Sequence, residues 1–399
     1  MSRHQFFWSC TRQTFCRVLG ARYRTALEPG SDPEPDPPFI VVSNHGNFFD
    51  PWILGFFQHR ALRIMMNDDG FRSGAATRWY LGEIGAFAKK KGAHDLAATK
   101  KTLSFLKSGE PVLIFPEGQA TWDGATQPIY GGIERLVKRA GCPLVILRMR
   151  GNFLTRPWWA ANPRRGRISI RRTVLSSERL RGMAPAEVLE AIRGGISHND
   201  ILDEQNRQVP FAGRGLAEGL GRLVWRCLGC GAEGALAMAG DAIRCRECGG
   251  EWRIDAHCRL WNADESPAPS PDLHAWVTAH RQAAREAIAA AGDDTLLARE
   301  QGVTLQREGP DGVFAEEGRG TLALTPATLS FEPDAGAGAA LGFAVGDLEN
   351  FVIQRKDLFE ITARGIDYRF AMPGGSPMRW LIHLRYLRGF EAAERSGVI

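Results

Sequence analysis

Four short segments rich in apolar residues in the first 150 residues predict strands, at 39–42, 85–91, 112–115 and 143–148. Short apolar runs bounded by turn residues are typical of strands in a buried sheet. After the first of them, an apolar helical pattern opens at Asp50-Pro51. Strands followed by helices predict an α/β domain with a mainly parallel sheet. In such a sheet, functional residues usually lie at the ends of strands.

From about residue 301 the pattern changes to short strands separated by turn residues, predicted at 321–325, 328–331, 351–354, 358–362 and 368–372. A closing helix from Ser376 carries an apolar stripe that we expect to be core. Strands followed by one amphipathic helix resemble a PH-like or GRAM-type module. The resemblance implies a lipid headgroup or a protein partner as the ligand of this β-rich C-terminal module, residues 301–399.

The N-terminal segment, residues 1–28, is predicted to contain an amphipathic helix. Aromatic residues such as Phe6, Trp8 and Phe15 interleave with arginines, and no acidic residue precedes Glu28. A basic, aromatic helix of this kind is typical of one that lies in a membrane interface. The same composition suits a helix that packs its aromatic face on the domain core, and the two interpretations are compatible.

Composition narrows the class of protein. The chain has 399 residues, enough for two or three domains, and its hydrophobic content of 44% is ordinary for a soluble globular protein. No run approaches the roughly 18 apolar residues of a membrane span, and arginines interrupt the N-terminal apolar residues, unlike in a signal peptide. We therefore expect a cytoplasmic protein that is peripheral on the cytoplasmic face of the membrane. The net charge of +5 indicates local rather than global electrostatics.

The stretch 44–50 follows the first predicted strand and places His45 and Asp50 five residues apart. Histidine can accept and return a proton near neutral pH, and a carboxylate on its other ring nitrogen would fix its tautomer. Asp50 would also serve as a helix N-cap before Pro51, and His45 as a loop histidine bonded to backbone. On these two residues alone, catalysis and a structural role both remain open.

A second block, Phe115-Pro116-Glu117-Gly118, follows a later predicted strand. Asn-His-x4-Asp followed by Phe-Pro-Glu-Gly resembles the glycerolipid acyltransferase family, which includes the bacterial lysophosphatidic acid acyltransferases. The resemblance covers about residues 5–200. It implies transfer of a fatty acyl group from acyl-CoA or acyl carrier protein to the hydroxyl of a lysophospholipid, with 1-acylglycerol 3-phosphate as the preferred acceptor.

The resemblance also implies roles for particular residues. His45 would be the general base that takes the proton of the acceptor hydroxyl, and Asp50 would orient it. Glu117 would bind the acceptor and Gly118 would form the turn. The complete set of residues implied to bind substrate is Asn44, Lys89, Lys91, Glu117 and Gly118.

The sequence departs from the family at two places. Lys91 stands where the family has Arg, and Gln119-Ala120 replaces Thr-Arg. Lysine binds phosphate as a point charge rather than as a bidentate fork, so the resemblance leaves the identity of the acceptor open. These departures leave an alternative function open, a catalytically weak or inactive membrane-associated scaffold that binds lipid. The lysines at 89–91 would alternatively form a solvated charged edge.

A basic region follows the acyltransferase-like blocks. Six arginines, with Trp158 and Trp159 at the front, are Arg156, Arg164, Arg165, Arg167, Arg171 and Arg172. Arginines beside a tryptophan pair suit anionic headgroups with the indoles at headgroup level. Nucleic acid or a solvated face are alternatives.

The middle of the chain carries two Cys-x-x-Cys pairs, Cys227 with Cys230 and Cys245 with Cys248. This spacing predicts a zinc ribbon over about residues 222–262. Four thiolates fill the tetrahedral shell of one zinc ion, so the site would be structural. Disulfides are the alternative, and they are disfavoured in a cytosolic chain. Acidic residues offset the ribbon's arginines, so we expect a protein partner or a spacer role and no nucleic acid.

The remaining boundaries follow from composition. Residues 29–221 are predicted to form the acyltransferase domain. Residues 263–300 are predicted to be a Pro-rich, semi-rigid linker at 265–271 followed by an alanine-rich helix at 272–300.

Overall fold

A computed structural model describes residues 2–90, 95–334 and 339–390 of the chain. These residues divide into two compact units, one formed by residues 2–158 and 163–213 and the other by residues 159–162 and 214–390. The predicted zinc ribbon and the β-rich C-terminal module both lie in the second unit.

The first unit is built on one seven-stranded sheet. Its strands are β1 Ala26–Leu27, β2 Ile40–Ser43, β3 Arg63–Asn67, β4 Ala86–Lys89, β5 Val112–Ile114, β6 Leu144–Arg150 and β7 Ser169–Leu175. Their order across the sheet is β1-β7-β6-β2-β5-β3-β4. Strands β2 to β6 are parallel, whereas β7 runs antiparallel to β6. The predicted α/β architecture with a mainly parallel sheet is confirmed.

Ten α-helices lie among the described residues of this unit. They are α1 Arg3–Thr11, α2 Arg17–Arg22, α3 Asp50–Phe57, α4 Ala75–Glu83, α5 Leu96–Lys107, α6 Ile133–Ala140, α7 Asn152–Thr155, α8 Ser177–Gly182, α9 Pro185–Ile196 and α10 Glu204–Arg207. A π-helical turn, Arg12–Cys16, joins α1 to α2, and a 3₁₀ turn, Asp68–Arg72, precedes α4.

Side-chain alternation along the central strand explains why both sheet faces are covered. Val41 packs into an apolar cluster with side chains from α1 to α4. Its neighbours Ile40 and Val42 pack into a second cluster with side chains from α5, α6 and α9. Every residue of β2 is buried. A strand buried on both faces reads as a continuous apolar run, as residues 39–42 do.

The N-terminal segment is helical from Arg3 to Arg22, with the π-helical turn in its middle. Trp8 and Leu19 are buried in the core of the unit, as is Tyr23 beyond the helix. Phe15 and Val18 are exposed. The segment therefore packs on the core and also presents apolar side chains outward. Among the described residues, no helix combines the length and apolar character needed to cross a bilayer.

The second unit contains two antiparallel sheets. A five-stranded sheet consists of β8 Leu236–Ala239, β9 Ala242–Cys245, β10 Glu251–Ile254, β11 Arg259–Asn262 and β12 Pro267–Asp272. A seven-stranded sheet consists of β13 Ala298–Glu308, β14 Phe314–Leu324, β15 Thr328–Pro333, β16 Leu341–Ala344, β17 Leu348–Gln354, β18 Leu358–Ala363 and β19 Ile366–Ala371. The helices are α11 Leu273–Ala290 and α12 Pro377–Leu387, with 3₁₀ turns at Leu220–Arg222 and Val345–Asp347.

The β-rich C-terminal region agrees with the sequence pattern. The five predicted strands correspond to β14, β15, β17, β18 and β19, and the closing helix is α12, capped by the Ser376 side chain. Strands β13 and β16 were not predicted. The likeness to a PH-like or GRAM-type module stays a prediction.

The segment predicted to be a Pro-rich linker has a different structure. Pro267–Asp272 form strand β12, which pairs antiparallel with β11 at the edge of its sheet. Proline lacks a backbone N–H, and an edge strand leaves one side of its backbone unpaired, so proline is tolerated there. The helix predicted over 272–300 ends at Ala290, and Ala298 already begins β13.

Candidate functional site

Three neighbouring strands end at the same edge of the first unit's sheet. Strand β2 lies between β5 and β6, and all three run parallel. The carboxyl ends of β2 and β5 lead into the loops that carry His45 and Glu117, and β6 leads into helix α7, which begins at Asn152. Together with His198, which lies beyond α9, these residues line one small cleft. The topology thus brings together polar residues that are far apart in the sequence.

His45 and Asp50 form a hydrogen-bonded dyad at this cleft. The imidazole Nδ1 lies 2.8 Å from Asp50 Oδ2, and the backbone amides of Gly46 and Asn47 donate to the same oxygen at 2.8 Å. The Asp50 side chain is fully buried, whereas that of His45 is 18% exposed. Because Asp50 accepts the Nδ1 proton, Nε2 keeps its lone pair for a proton acceptor role.

The alternative role of Asp50 as a helix N-cap does not occur. Helix α3 begins at Asp50 with Pro51 in its first turn, but no side chain caps its amides. The carboxylate turns back instead to the loop that precedes the helix. The five-residue spacing therefore serves the His45 ring.

Asn44 is occupied by the backbone of β6. Its amide nitrogen donates to the Met149 carbonyl at 2.8 Å, and its amide oxygen accepts from the Met149 N–H at 2.7 Å. The residue is buried. These reciprocal bonds fix the start of the loop that carries His45, so the contribution of Asn44 to substrate binding stays a prediction.

Glu117 is buried in the wall of the cleft and holds two loops together. Its carboxylate accepts the His45 N–H at 2.7 Å through Oε1 and the Gln127 N–H at 2.6 Å through Oε2. Burial raises the pKa of Glu117 to about 8, helped by the charges of Asp50 and Asp123 and opposed by the two amide bonds. The structure thus gives Glu117 a supporting contact with the base, and direct contact with an acceptor stays a prediction.

The rest of the Phe-Pro-Glu-Gly block shapes the same loop. Gly118 has φ of +67°, in the left-handed region that favours glycine, and a Cβ there would lie 2.5 Å from the Tyr130 ring. Phe115 stacks on the imidazole of His45. Sequence reasoning missed this stacking, because the block alone does not indicate which side chain meets the ring.

Of the predicted lysines, Lys89 ends β4 and Lys91 lies outside the described residues. Lys89 Nζ is 5.4 Å from the centroid of the Tyr130 ring, the same ring that packs against Gly118. Burial lowers the pKa of Lys89, and the nearby carboxylates of Asp95 and Asp68 oppose that shift. Lys89 is therefore connected to the loop of Glu117 through one aromatic ring.

Asn152, His198 and Asp200 were not predicted. Asn152 follows β6 as His45 follows β2, at the carboxyl end of a strand. That strand-end position is the feature of the sequence that could have indicated a role for Asn152 in the site. Its amide nitrogen lies 3.2 Å from Asp50 Oδ2. His198 donates to or accepts from Asp200 at 2.8 Å in a segment that lies outside any recognised block. No pattern in the sequence pairs that segment with residue 50.

The basic region is only partly exposed: Arg165 and Arg167 are exposed, so its role toward anionic headgroups stays a prediction, but other members are buried. Trp159 and Arg164 are fully buried, and Arg172 is buried with its guanidinium bonded to the Phe57 carbonyl. These three side chains are not available to anionic headgroups. Trp158 is half-buried and packs beside Phe48.

Trp158 belongs instead to a group of aromatic rings beside the cleft, which we call the aromatic surface: Phe15, Phe48, Phe49 and Trp158. Phe48 contacts Phe49 and Trp158, and Phe15 contacts Phe49, with ring centroids 5.2 to 6.0 Å apart. Phe48 is 48% exposed and Phe15 is 38% exposed. The guanidinium of Arg156 lies over Phe49 at 5.0 Å. Phe48 and Phe49 lie in the loop between His45 and α3, so this surface adjoins the dyad.

The four cysteines of the second unit converge on one point. Their sulfur atoms all lie within 4.8 Å of one another. Two pairs, Cys227 with Cys248 and Cys230 with Cys245, have Sγ atoms 3.7 and 3.8 Å apart. A tetrahedral zinc ion with Zn–S bonds of about 2.3 Å separates its sulfurs by about 3.8 Å, whereas a disulfide needs about 2.05 Å. The cluster can therefore hold a metal ion and does not contain disulfides.

Comparison with known families and structures bears on the first unit. Residues 25–150 match the family described as acyltransferase. Among solved structures, the 1-acyl-sn-glycerophosphate (LPA) acyltransferase of Thermotoga maritima is similar at 16% identity and a TM-score of 0.41, over 48% of this chain and 79% of that chain.

Two further similarities are weaker. A chain from a systematic screen for protein–lipid interactions in Saccharomyces cerevisiae has 15% identity and a TM-score of 0.18, over 24% of this chain and 97% of that chain. A chain of the 8S snRNP assembly intermediate has 15% identity and a TM-score of 0.17, over 27% of this chain and 85% of that chain. None of the three structural similarities establishes a common overall fold. The residues that match the acyltransferase family, 25–150, include His45, Asp50 and Glu117, so the match covers the motifs that resemble that family.

Proposed function

We propose that this protein transfers a fatty acyl group from acyl-CoA or acyl carrier protein to the hydroxyl of a lysophospholipid, with 1-acylglycerol 3-phosphate as the preferred acceptor. The observation that carries the proposal is the 2.8 Å bond between His45 Nδ1 and Asp50 Oδ2 within an acyltransferase-family region. A histidine oriented in this way has the lone pair of Nε2 directed away from its carboxylate.

The reaction proceeds by direct attack of the acceptor on the thioester. His45 Nε2 takes the proton of the acceptor hydroxyl as its oxygen bonds to the thioester carbonyl carbon. The C–S bond then breaks, and the departing sulfur takes the proton back from the imidazolium. Asp50 stabilises the imidazolium between these steps. The products are the acylated lipid and a free thiol.

The acceptor phosphate requires a cation near the dyad. Lys89 is our candidate, because it ends a strand of the same sheet and contacts the ring that packs on Gly118. Lys91 is the second candidate, from its position in the family's block. Lysine binds phosphate as a point charge, so we expect looser discrimination among anionic headgroups than a bidentate arginine would give.

The acceptor resides in a bilayer, so the dyad must reach one. We propose that the aromatic surface rests on the membrane, since Phe48 lies three residues from His45 and Phe15 and Val18 are also exposed. Aromatic rings beside a guanidinium suit the headgroup level of an anionic membrane. The Arg156 guanidinium over Phe49 is such a pair. This proposal makes the protein peripheral, and we expect it on the cytoplasmic face.

In the second unit we propose one structural zinc ion on Cys227, Cys230, Cys245 and Cys248. The near-tetrahedral sulfur spacing supports it, and so do the Gly229 and Cys230 amides that point at Cys227 Sγ at 3.3 and 3.5 Å. Four protein ligands leave no open position, so the ion would stabilise the fold and not react. A protein partner for this ribbon or for the C-terminal module remains an expectation.

The test of acyl transfer uses purified protein with labelled acyl-CoA or acyl carrier protein and a series of lysophospholipids in vesicles. We expect product with 1-acylglycerol 3-phosphate and a loss of about 10²–10⁴-fold in His45→Ala, with a comparable loss in Asp50→Asn. His59→Ala is the matched control, because His59 is exposed and bonds to Arg12. Equal product from wild type and His45→Ala would overturn the base assignment. No product with any donor or acceptor would favour the lipid-binding scaffold.

A further inference from the structure

The turn after β6 lies directly against the loop that carries His45. The Asn152 amide nitrogen is 3.3 Å from Asp50 Oδ1 and 3.2 Å from Oδ2. His45, Gly46 and Asn47 all donate to Oδ2. Among the described residues, Asn152 is the donor that reaches Oδ1 as well as Oδ2, so its position bears on how the carboxylate is rotated.

This turn and the loop pack closely at Gly46. A Cβ added to Gly46 would lie 2.9 Å from the Asn152 amide nitrogen and 3.0 Å from the Phe153 backbone nitrogen. The Asn47 amide also donates to Thr155 Oγ1 at 3.0 Å, a further bond between the two segments. A displacement of the turn would consequently move the loop that carries the dyad.

One buried carboxylate fixes the turn itself. Asp200 is fully buried, and it accepts the Gly151 N–H at 2.6 Å through Oδ1 and the Phe153 N–H at 2.8 Å through Oδ2. These are the amides on either side of Asn152. His198 Nε2 lies 2.8 Å from Oδ1, and the Asn206 amide donates to the same oxygen at 3.0 Å.

The bonds to Asp200 also favour its ionised form. Burial acts to raise the pKa of Asp200, but the bonds from His198, Gly151 and Asn206 outweigh it and lower the pKa below its ordinary value. A carboxylate with this many donors is a rigid anchor, because losing it would leave several buried N–H groups unpaired.

We infer that Asp200, acting through Asn152, sets the orientation of the Asp50 carboxylate and through it the ring of His45. This inference rests on the proposed function. Asn152 and Asp200 are positioning residues: they act on the reaction through Asp50 and do not touch the reacting atoms. Outer-shell residues that orient metal ligands contribute about 10–100-fold; by analogy we expect a loss of about that size in kcat, with KM little changed.

The experiment measures the dyad directly as well as turnover. The full chain is labelled with ¹⁵N in its histidine rings, and the Nδ1–H resonance of His45 is assigned by its loss in His45→Gln. In the wild type this proton should be far downfield and slow to exchange, because Asp50 accepts it. In Asn152→Ala we expect an upfield shift, faster exchange and the loss in kcat. Asp200→Asn should produce the same changes.

Two controls separate orientation from general damage. Asn162→Ala removes an exposed amide that donates to the Glu218 carboxylate at 2.8 Å in the second unit, and it should change neither the resonance nor kcat. Asn152→Ser keeps a short hydrogen-bond donor, so it should recover part of the downfield shift of the His45 resonance and part of kcat. Thermal melts verify folding, and if Asp200→Asn does not fold, Asp200→Glu, which keeps the charge and displaces the carboxylate, tests the same contact.

The outcomes distinguish this inference from the proposed function. An unchanged His45 resonance and kcat in folded Asn152→Ala would overturn the inference while leaving acyl transfer intact. Absence of turnover in the wild type would overturn the proposed function. A resonance that still responds to Asn152→Ala in that case would support the positioning of the dyad by itself.

Discussion

Phe115 stacks on the imidazole of His45, with ring centroids 4.3 Å apart and ring planes inclined by 26°. Asp50 fixes one edge of the imidazole through Nδ1, and Phe115 fixes the plane of the ring. Phe115 follows β5 and His45 follows β2, so the pairing of these two strands sets the distance between the two rings. The Phe-Pro-Glu-Gly block thus supports the base from two sides, since Glu117 also accepts the His45 N–H.

Replacing Phe115 by leucine should reduce activity more than stability. Leucine keeps an apolar side chain but removes the flat surface that holds the imidazole, and a displaced catalytic group loses up to about 100-fold in rate. We expect kcat to fall by roughly tenfold, with KM nearly unchanged, because Phe115 contacts the base and acts on its orientation. Steady-state kinetics with a thermal melt of each protein measure both quantities.

Phe105→Leu is the matched control for this substitution. Phe105 is a partly buried ring on α5 that packs against Phe87 and under the Arg63 guanidinium. Its replacement should lower the melting temperature without lowering specific activity. Equal losses of specific activity in Phe115→Leu and Phe105→Leu would mean that stacking on His45 has no particular role.

Glu117 should make the stability of the protein pH-dependent. Its folded-state pKa is raised from 4.5 to about 8, so between these values the folded state holds a proton that the unfolded state has lost. The contribution of the Glu117 proton to the free energy of unfolding is therefore complete below about pH 4.5. It is lost as the pH rises through about 8, by at most roughly 5 kcal/mol. Denaturant unfolding of the wild type from pH 5 to 9 measures this slope.

The variant Glu117→Gln removes the titrating group and keeps the shape. It should be less stable than the wild type at pH 5 by about 1–3 kcal/mol, because its NH₂ group meets a backbone amide donor. Its stability should fall less with rising pH, so the gap of about 1–3 kcal/mol at pH 5 closes, and can reverse, as the pH rises toward 9. Parallel curves for the two proteins would mean that Glu117 is ionised throughout this range.

Much of the first unit was predictable because local patterns and the parallel sheet agree. The apolar run at 39–42 is buried on both faces as β2, and the polar residues after it lie at the strand end where sites form. His45 and Asp50 were identified as a pair because five residues separate them. The four cysteines were identified for the same reason, since a Cys-x-x-Cys pair carries its geometry locally.

What the sequence did not predict depends on long-range pairing. Asn152 meets Asp50 across 102 positions, and only the order of β2 and β6 in the sheet brings them together. Arg164 and Trp159 had the composition of a surface, but tertiary packing buries them. The prolines of β12 read as a linker, because neither their composition nor their spacing indicates an edge strand beside β11.

The cysteine cluster should hold one zinc ion per chain, and its removal should destabilise the second unit. Zinc binding contributes directly to folding in small ribbons, because the unfolded chain has no preformed site. We expect elemental analysis to give one zinc per wild-type chain and none in Cys227→Ser, with a lower melting temperature in the variant and after chelation. Cys10→Ser, which changes an exposed cysteine outside the cluster, should retain the metal. A wild-type chain free of metal, with a melt insensitive to chelators, would contradict the assignment.

Replacing Phe48 by serine should weaken binding to anionic vesicles without disturbing the dyad. Burying a whole Phe side chain is worth about 1.5–3 kcal/mol, and Phe48 is 48% exposed. We therefore expect about a three- to tenfold loss in partitioning to vesicles of phosphatidylcholine and phosphatidylglycerol, measured by co-sedimentation. Phe15→Ser should add to this loss.

Leu96→Ser is the control, because Leu96 is 75% exposed at the start of α5 and lies outside the aromatic surface. Activity on a soluble short-chain acceptor should survive Phe48→Ser, whereas activity on vesicle-bound acceptor should fall with binding. Equal partitioning of Phe48→Ser and the wild type would exclude the aromatic surface as the membrane contact.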